Sequence, residues 1–67
     1  MISVRFIAAV KLHPMRNYVI AHAAGLHPST LSKLINGIEL VKPGDQRVLR
    51  VAEIVGLSPE ECFEKEN

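Results

Sequence analysis

This chain carries one cysteine, Cys62, so no internal disulfide can hold it together. An unpaired thiol fits a reducing cytoplasm, where disulfide frameworks are rare. Long apolar runs are missing too, and none approaches the roughly 20 residues that a bilayer-crossing helix needs. The N-terminal stretch MISVRFIAAVKLHP is apolar, but its basic residues are interspersed and no small-residue cleavage site follows, which argues against a signal peptide. Strand patterns, internal repeats and low-complexity segments are absent from the sequence. The expectation is a cytoplasmic protein whose residues 1–67 form one domain, close to the lower size limit for folding without disulfides or metal. An apolar content of 48% offsets that small size.

Catalytic and metal-binding patterns are equally scarce. His13, His22 and His27 have no cysteine or second histidine at a finger-like spacing, so no metal and no cofactor are expected. Cys62 lies in an acidic terminal segment without a basic partner to lower its pKa. Glu60, Glu61, Glu64 and Glu66 read as a solvated tail, not as an acid–base pair. The chain is not expected to be an enzyme.

Net charge is only +1, which by itself argues weakly against a nucleic-acid partner, but its distribution is uneven. Residues 1–50 hold seven Lys/Arg against Glu39 and Asp45, a balance of +5, whereas residues 51–67 hold Lys65 against five Glu, a balance of −4. A basic body with an acidic end suits a domain that touches phosphate on one side only. An ordinary mixed surface is the competing explanation.

The breakers and caps predict five short helices. Ser3 can cap a first helix that runs to about Leu12 and turns Ile2, Phe6, Ala9 and Val10 inward; Pro14 forbids its continuation. A second helix runs from about Arg16 to Ala24. A third starts at Pro28, where proline suits the first helical turn, and stops at Asn36-Gly37. The segment 38–43 is a loop. A fourth helix begins near Asp45 with Val48, Val51, Ala52 and Val55 as its stripe, and Gly56 ends it. Ser58-Pro59-Glu60-Glu61 is a capping box that opens a fifth helix reaching about Phe63.

Residues 17–36, NYVIAHAAGLHPSTLSKLIN, are the most specific part of the chain. Small or apolar residues at Ile20, Ala21, Ala24, Leu26, Leu31 and Leu34 allow two helices to cross closely around a short turn. Gly25 supplies the left-handed backbone conformation that ends the first of them. Asn17, Pro28, Ser29, Ser32, Lys33 and Asn36 are left facing outward. That layout is a DNA-binding helix-turn-helix.

In these residues, together with Thr30, Gly37, Val51-Ala52 and Gly56-Leu57-Ser58, the chain resembles the phage-repressor and Cro type of helix-turn-helix domain, the XRE-like family. The resemblance implies an all-α, five-helix, lambda-repressor-like fold. It also implies that the third helix lies in the major groove of double-stranded DNA, that the second crosses the backbone, and that a homodimer represses transcription. Where the family often pairs Arg with Glu, this chain has Val10 and Ile35, an apolar contact in place of an ion pair. Where the family prefers Ser or Thr as the cap of the third helix, this chain has His27, expected to cap only weakly.

Side-chain chemistry then assigns roles. Pro28, Ser29, Ser32 and Lys33 are candidates for base contact; Lys33 can donate to guanine O6 and N7, and Pro28 can meet a thymine methyl group. Arg16, Asn17, Thr30, Asn36 and Lys42 are candidates for the phosphate backbone. The resemblance places dimer contacts between the fourth and fifth helices, at Gly56, Leu57, Ser58 and Pro59. Val4, Ile7, Ile38, Leu40 and Val41 form an apolar surplus that leaves a protein partner open, as in an antitoxin-like or anti-repressor module.

Overall fold

The computed structural model of the protein describes residues 2–63. Each expected helix forms, and each boundary has a local cause. Helix α1 (Val4–Leu12) opens on Ser3, whose hydroxyl oxygen accepts from the Phe6 N–H at 3.1 Å. It closes at His13, held extended ahead of Pro14. Helix α2 (Asn17–Ala23) is shorter than expected by one residue at each end, because Arg16 and Ala24 serve as its caps. Helix α3 (Pro28–Ile35) starts at proline and ends before Gly37, whose φ is +71°. Helix α4 (Gln46–Val55) is capped by Asp45, whose carboxylate accepts from the Arg47 N–H at 2.9 Å. Helix α5 (Pro59–Cys62) is the short one, with Phe63 as its C-cap and not its last residue. Glu61 reaches back to Ser58, accepting from its backbone N–H at 3.2 Å and from its hydroxyl at 2.9 Å.

One core takes side chains from all five helices: Phe6 and Val10, Ile20 with Ala21 and Ala24, Leu31 with Leu34 and Ile35, Val48 with Val51 and Ala52, and Cys62. Val10 and Ile35 are both buried in this core. Ala9 and Val55, read as inward-facing, are only half-buried and sit at the edges of their stripes. Burial raises the pKa of the Cys62 thiol, and the neighbouring Glu61 charge raises it further. The thiol donates to the Ser58 carbonyl at 3.3 Å. A buried thiol held protonated is a poor nucleophile.

The two ends of the described chain are joined in a way the sequence pattern did not announce. Ile2 and Phe63 form an isolated antiparallel bridge, and the Ser3 N–H donates to the Cys62 carbonyl at 2.9 Å. The Ser3 hydroxyl donates in turn to the Glu61 carbonyl. A single bridged pair has no alternating pattern from which to predict it, since both partners are set by helices that end beside one another.

Candidate nucleic-acid interface

Helices α2 and α3 meet across Gly25, whose φ of +73° is open to glycine and costly for other residues. The Gly25 N–H donates to the His22 carbonyl at 3.0 Å and the Leu26 N–H to the Ala21 carbonyl at 2.8 Å, which closes the end of α2. Ala21 is fully buried where the helices pack, so a larger side chain there would separate them.

The outer surface of α3 follows from helix geometry. At about 100° per residue, Ser29, Ser32, Lys33 and Asn36 fall within a stripe about 100° wide. All four are exposed. Leu31, Leu34 and Ile35 occupy the opposite side and are buried. Pro28 and Thr30 fall between the two faces, one on each flank, and are half-buried; Pro28 was expected to face fully outward, and this is the correction.

His27 occupies the N-cap position of α3. Its ring does cap α3: Nδ1 accepts from the Ser29 N–H at 3.1 Å and lies 2.8 Å from Ser29 Oγ. At the far end of the helix, Asn36 Nδ2 donates to Ser32 Oγ at 3.2 Å. Two of the outward side chains are thus held by neighbours, Ser29 by the N-cap residue and Ser32 by Asn36 of the same stripe.

The expected backbone-contact residues Arg16, Asn17 and Lys42 are exposed. Arg16 and Asn17 share the start of α2, whereas Lys42 comes from the loop after α3. The basic residues are not equally available. Arg47 is bound to Asp45 at 2.9 Å and lies 3.9 Å from Glu39, and Arg5 is 3.3 Å from Glu61. The hydrogen bond from Arg47, opposed in part by burial, holds the Asp45 carboxyl below its ordinary value. Lys11, Arg16, Lys33, Lys42 and Arg50 make no ion pair among the described residues.

Arg50 went unrecognised in the sequence. Its Nη1 lies 3.6 Å from where a Cβ on Gly25 would sit, which puts an exposed cation beside the turn between α2 and α3. Nothing in the residues around position 50 signals this, because the neighbour is 25 positions earlier and only α4 packing brings it there. The expected dimer residues follow α4: Gly56 and Pro59 are exposed, while Leu57 and Ser58 are half-buried. No group of three or more His, Cys, Asp or Glu that could hold a metal occurs among the described residues.

The apolar surplus is partly real. Ile7 and Val41 pack against the core, but Ile38 is 72% and Leu40 94% exposed. A groove of about 460 Å³ beside them is lined by Ile2, Ile7, Leu34, Ile35, Leu40 and Val41, with Asn36, Gly37 and Glu39 completing its wall. No helix among the described residues is long and apolar enough to cross a membrane.

A family model described as helix-turn-helix matches residues 16–62, from the start of α2 through α5. No curated protein and no solved structure matches the chain significantly.

Proposed function

The chain belongs to the XRE-type helix-turn-helix family of DNA-binding domains, and from that premise we propose that it is a repressor binding a two-fold operator as a homodimer. A DNA-binding regulatory role follows from the family; repression, the dimer and the contacting residues belong to the proposal. One observation carries it: the polar stripe Ser29, Ser32, Lys33 and Asn36 stands opposite the buried stripe Leu31, Leu34 and Ile35. Helix α3 therefore offers hydrogen-bonding groups along one side and is fixed to the core along the other, as a helix entering the major groove must be.

In this reading Ser29, Ser32 and Lys33 meet base edges, with Pro28 at the flank. Arg16, Asn17, Thr30, Asn36 and Lys42 hold phosphates. A single domain reads few base pairs, so pairing through the segment Gly56–Leu57–Ser58–Pro59 doubles the site. Exposure of Gly56 and Pro59 supports that surface.

Titration against the DNA upstream of its own reading frame, at several salt concentrations, tests the proposal. Tight, sequence-selective binding that weakens steeply with salt is expected. A second reading, a protein-interaction module on the same fold, is favoured by exposed Ile38 and Leu40 beside the apolar groove. Weak, sequence-indifferent DNA binding together with a co-purifying protein would support that reading instead.

A further inference from the structure

A serine hydroxyl can donate or accept, so alone it distinguishes bases poorly. Two contacts in α3 remove the ambiguity. The Ser29 N–H donates to His27 Nδ1 at 3.1 Å. A backbone amide is always a donor, so Nδ1 must carry the lone pair and the ring proton must sit on Nε2. Ser29 Oγ lies 2.8 Å from the same Nδ1. With that nitrogen unprotonated, the second contact is the Ser29 O–H donating to it. The hydroxyl proton is turned back toward His27, and the oxygen lone pairs face outward.

Ser32 is held in the opposite sense. Asn36 Nδ2 donates to Ser32 Oγ at 3.2 Å, so the oxygen is already an acceptor there. Accepting from Asn36 polarises the hydroxyl, so its own proton becomes the stronger of the two groups it still offers, the other being its second lone pair. We propose that α3 carries two oppositely polarised serines, Ser29 reading as an acceptor and Ser32 as a donor, with His27 and Asn36 as positioning residues. This rests on the reading of α3 as the helix in the major groove.

Base chemistry then gives a code. An acceptor in the major groove selects the amine of adenine or cytosine on the strand it faces and disfavours guanine and thymine. A donor is met by guanine, adenine N7 or thymine O4, and only cytosine has no acceptor for it. Three residues of helix rise by about 4.5 Å, close to one base-pair step of about 3.4 Å, so the two serines face neighbouring positions.

Binding-site selection from a randomised duplex pool with the full chain tests the code. Ser29→Ala identifies the position that Ser29 reads, as the one whose preference disappears. Wild type is expected to favour adenine or cytosine there by about fivefold, the size of one neutral hydrogen bond. His27→Ser keeps a helix-capping oxygen but removes the imidazole. It should hold the melting temperature within a few degrees while that preference falls below about twofold and the other positions stay unchanged. Asn36→Ala, an independent variant at the other end of the helix, should let cytosine into the Ser32 position. Guanine or thymine selected by wild type at the Ser29 position overturns the proposal, as does a full adenine/cytosine preference retained by His27→Ser. A Ser29→Ala variant with unchanged selection everywhere overturns it too. Failure of wild type to select any sequence would instead remove the DNA reading beneath it.

Discussion

His27 caps α3 with its ring, which accepts from the Ser29 N–H. Lys33, one turn along, is the only exposed cation of the α3 stripe. Lys33→Ala should cost about 1–3 kcal/mol of binding and relax preference at one base position, whereas a uniform loss across sequences would assign Lys33 to a phosphate. Quantitative binding to a panel of single-base operator variants separates the two. Ser3 shows how much one small side chain can hold: it accepts from the Phe6 N–H and donates to the Glu61 carbonyl while itself buried. Ser3→Ala removes a cap and leaves the half-buried Glu61 carbonyl without its hydroxyl partner, so denaturant unfolding should show a loss of about 2 kcal/mol. Asp45 gives a pH dependence. Its carboxyl is held below the unfolded value, chiefly by the Arg47 hydrogen bond, so its stabilisation is complete above the unfolded carboxylate range and is lost as pH falls through the lowered value. Stability should therefore decline below about pH 4. Asp45→Asn, which keeps the cap acceptor but cannot ionise, should remove part of that decline. Glu61, lowered by its hydrogen bonds to Ser58, contributes in the same direction and accounts for some of the remainder.

At the scale of the element, the turn between α2 and α3 is constrained at its glycine. Gly25 has a φ of +73°, and an added Cβ would meet Arg50 only at ordinary contact distance, 3.6 Å. Backbone strain, not collision, therefore sets the effect of Gly25→Ala, expected at about 1–2 kcal/mol of lost stability in thermal or denaturant unfolding. The two-helix angle would shift with it, so DNA affinity should fall by more than stability alone explains. Most of this element was legible in the sequence. Glycine, proline, Asn36-Gly37 and the spacing of Leu31 and Leu34 are local signals, and each acts through the backbone of its own residue or through a 3.6-residue period. The half-burial of Pro28 and Thr30 was not legible, because it depends on how far the neighbouring helices extend around α3. Nor was the cap from His27, since an imidazole reaches the Ser29 N–H only in one ring orientation.

For the whole molecule, charge separates into cations that are spent and cations that are available. Arg47 and Arg5 are engaged by Asp45, Glu39 and Glu61, while Arg16, Lys33 and Lys42 are exposed without an ion pair among the described residues. If Arg16 and Lys42 from each of two protomers neutralise about four phosphates, the logarithm of the binding constant should fall with the logarithm of salt at a slope near −3.6, Lys33 being kept for a base. A slope near half that value would indicate one protomer per site. Sedimentation of the protein–DNA complex gives the stoichiometry independently. The sequence by itself determined the five helices, their order, most of the core and the outward stripe of α3, because caps, breakers and periodicity act within a few residues. Tertiary structure decided the rest. It clasped Ser3 to Glu61 and Cys62 and set Arg50 against the Gly25 turn. Those pairings join residues far apart in the chain, and only the packing of the helices brings them within bonding distance.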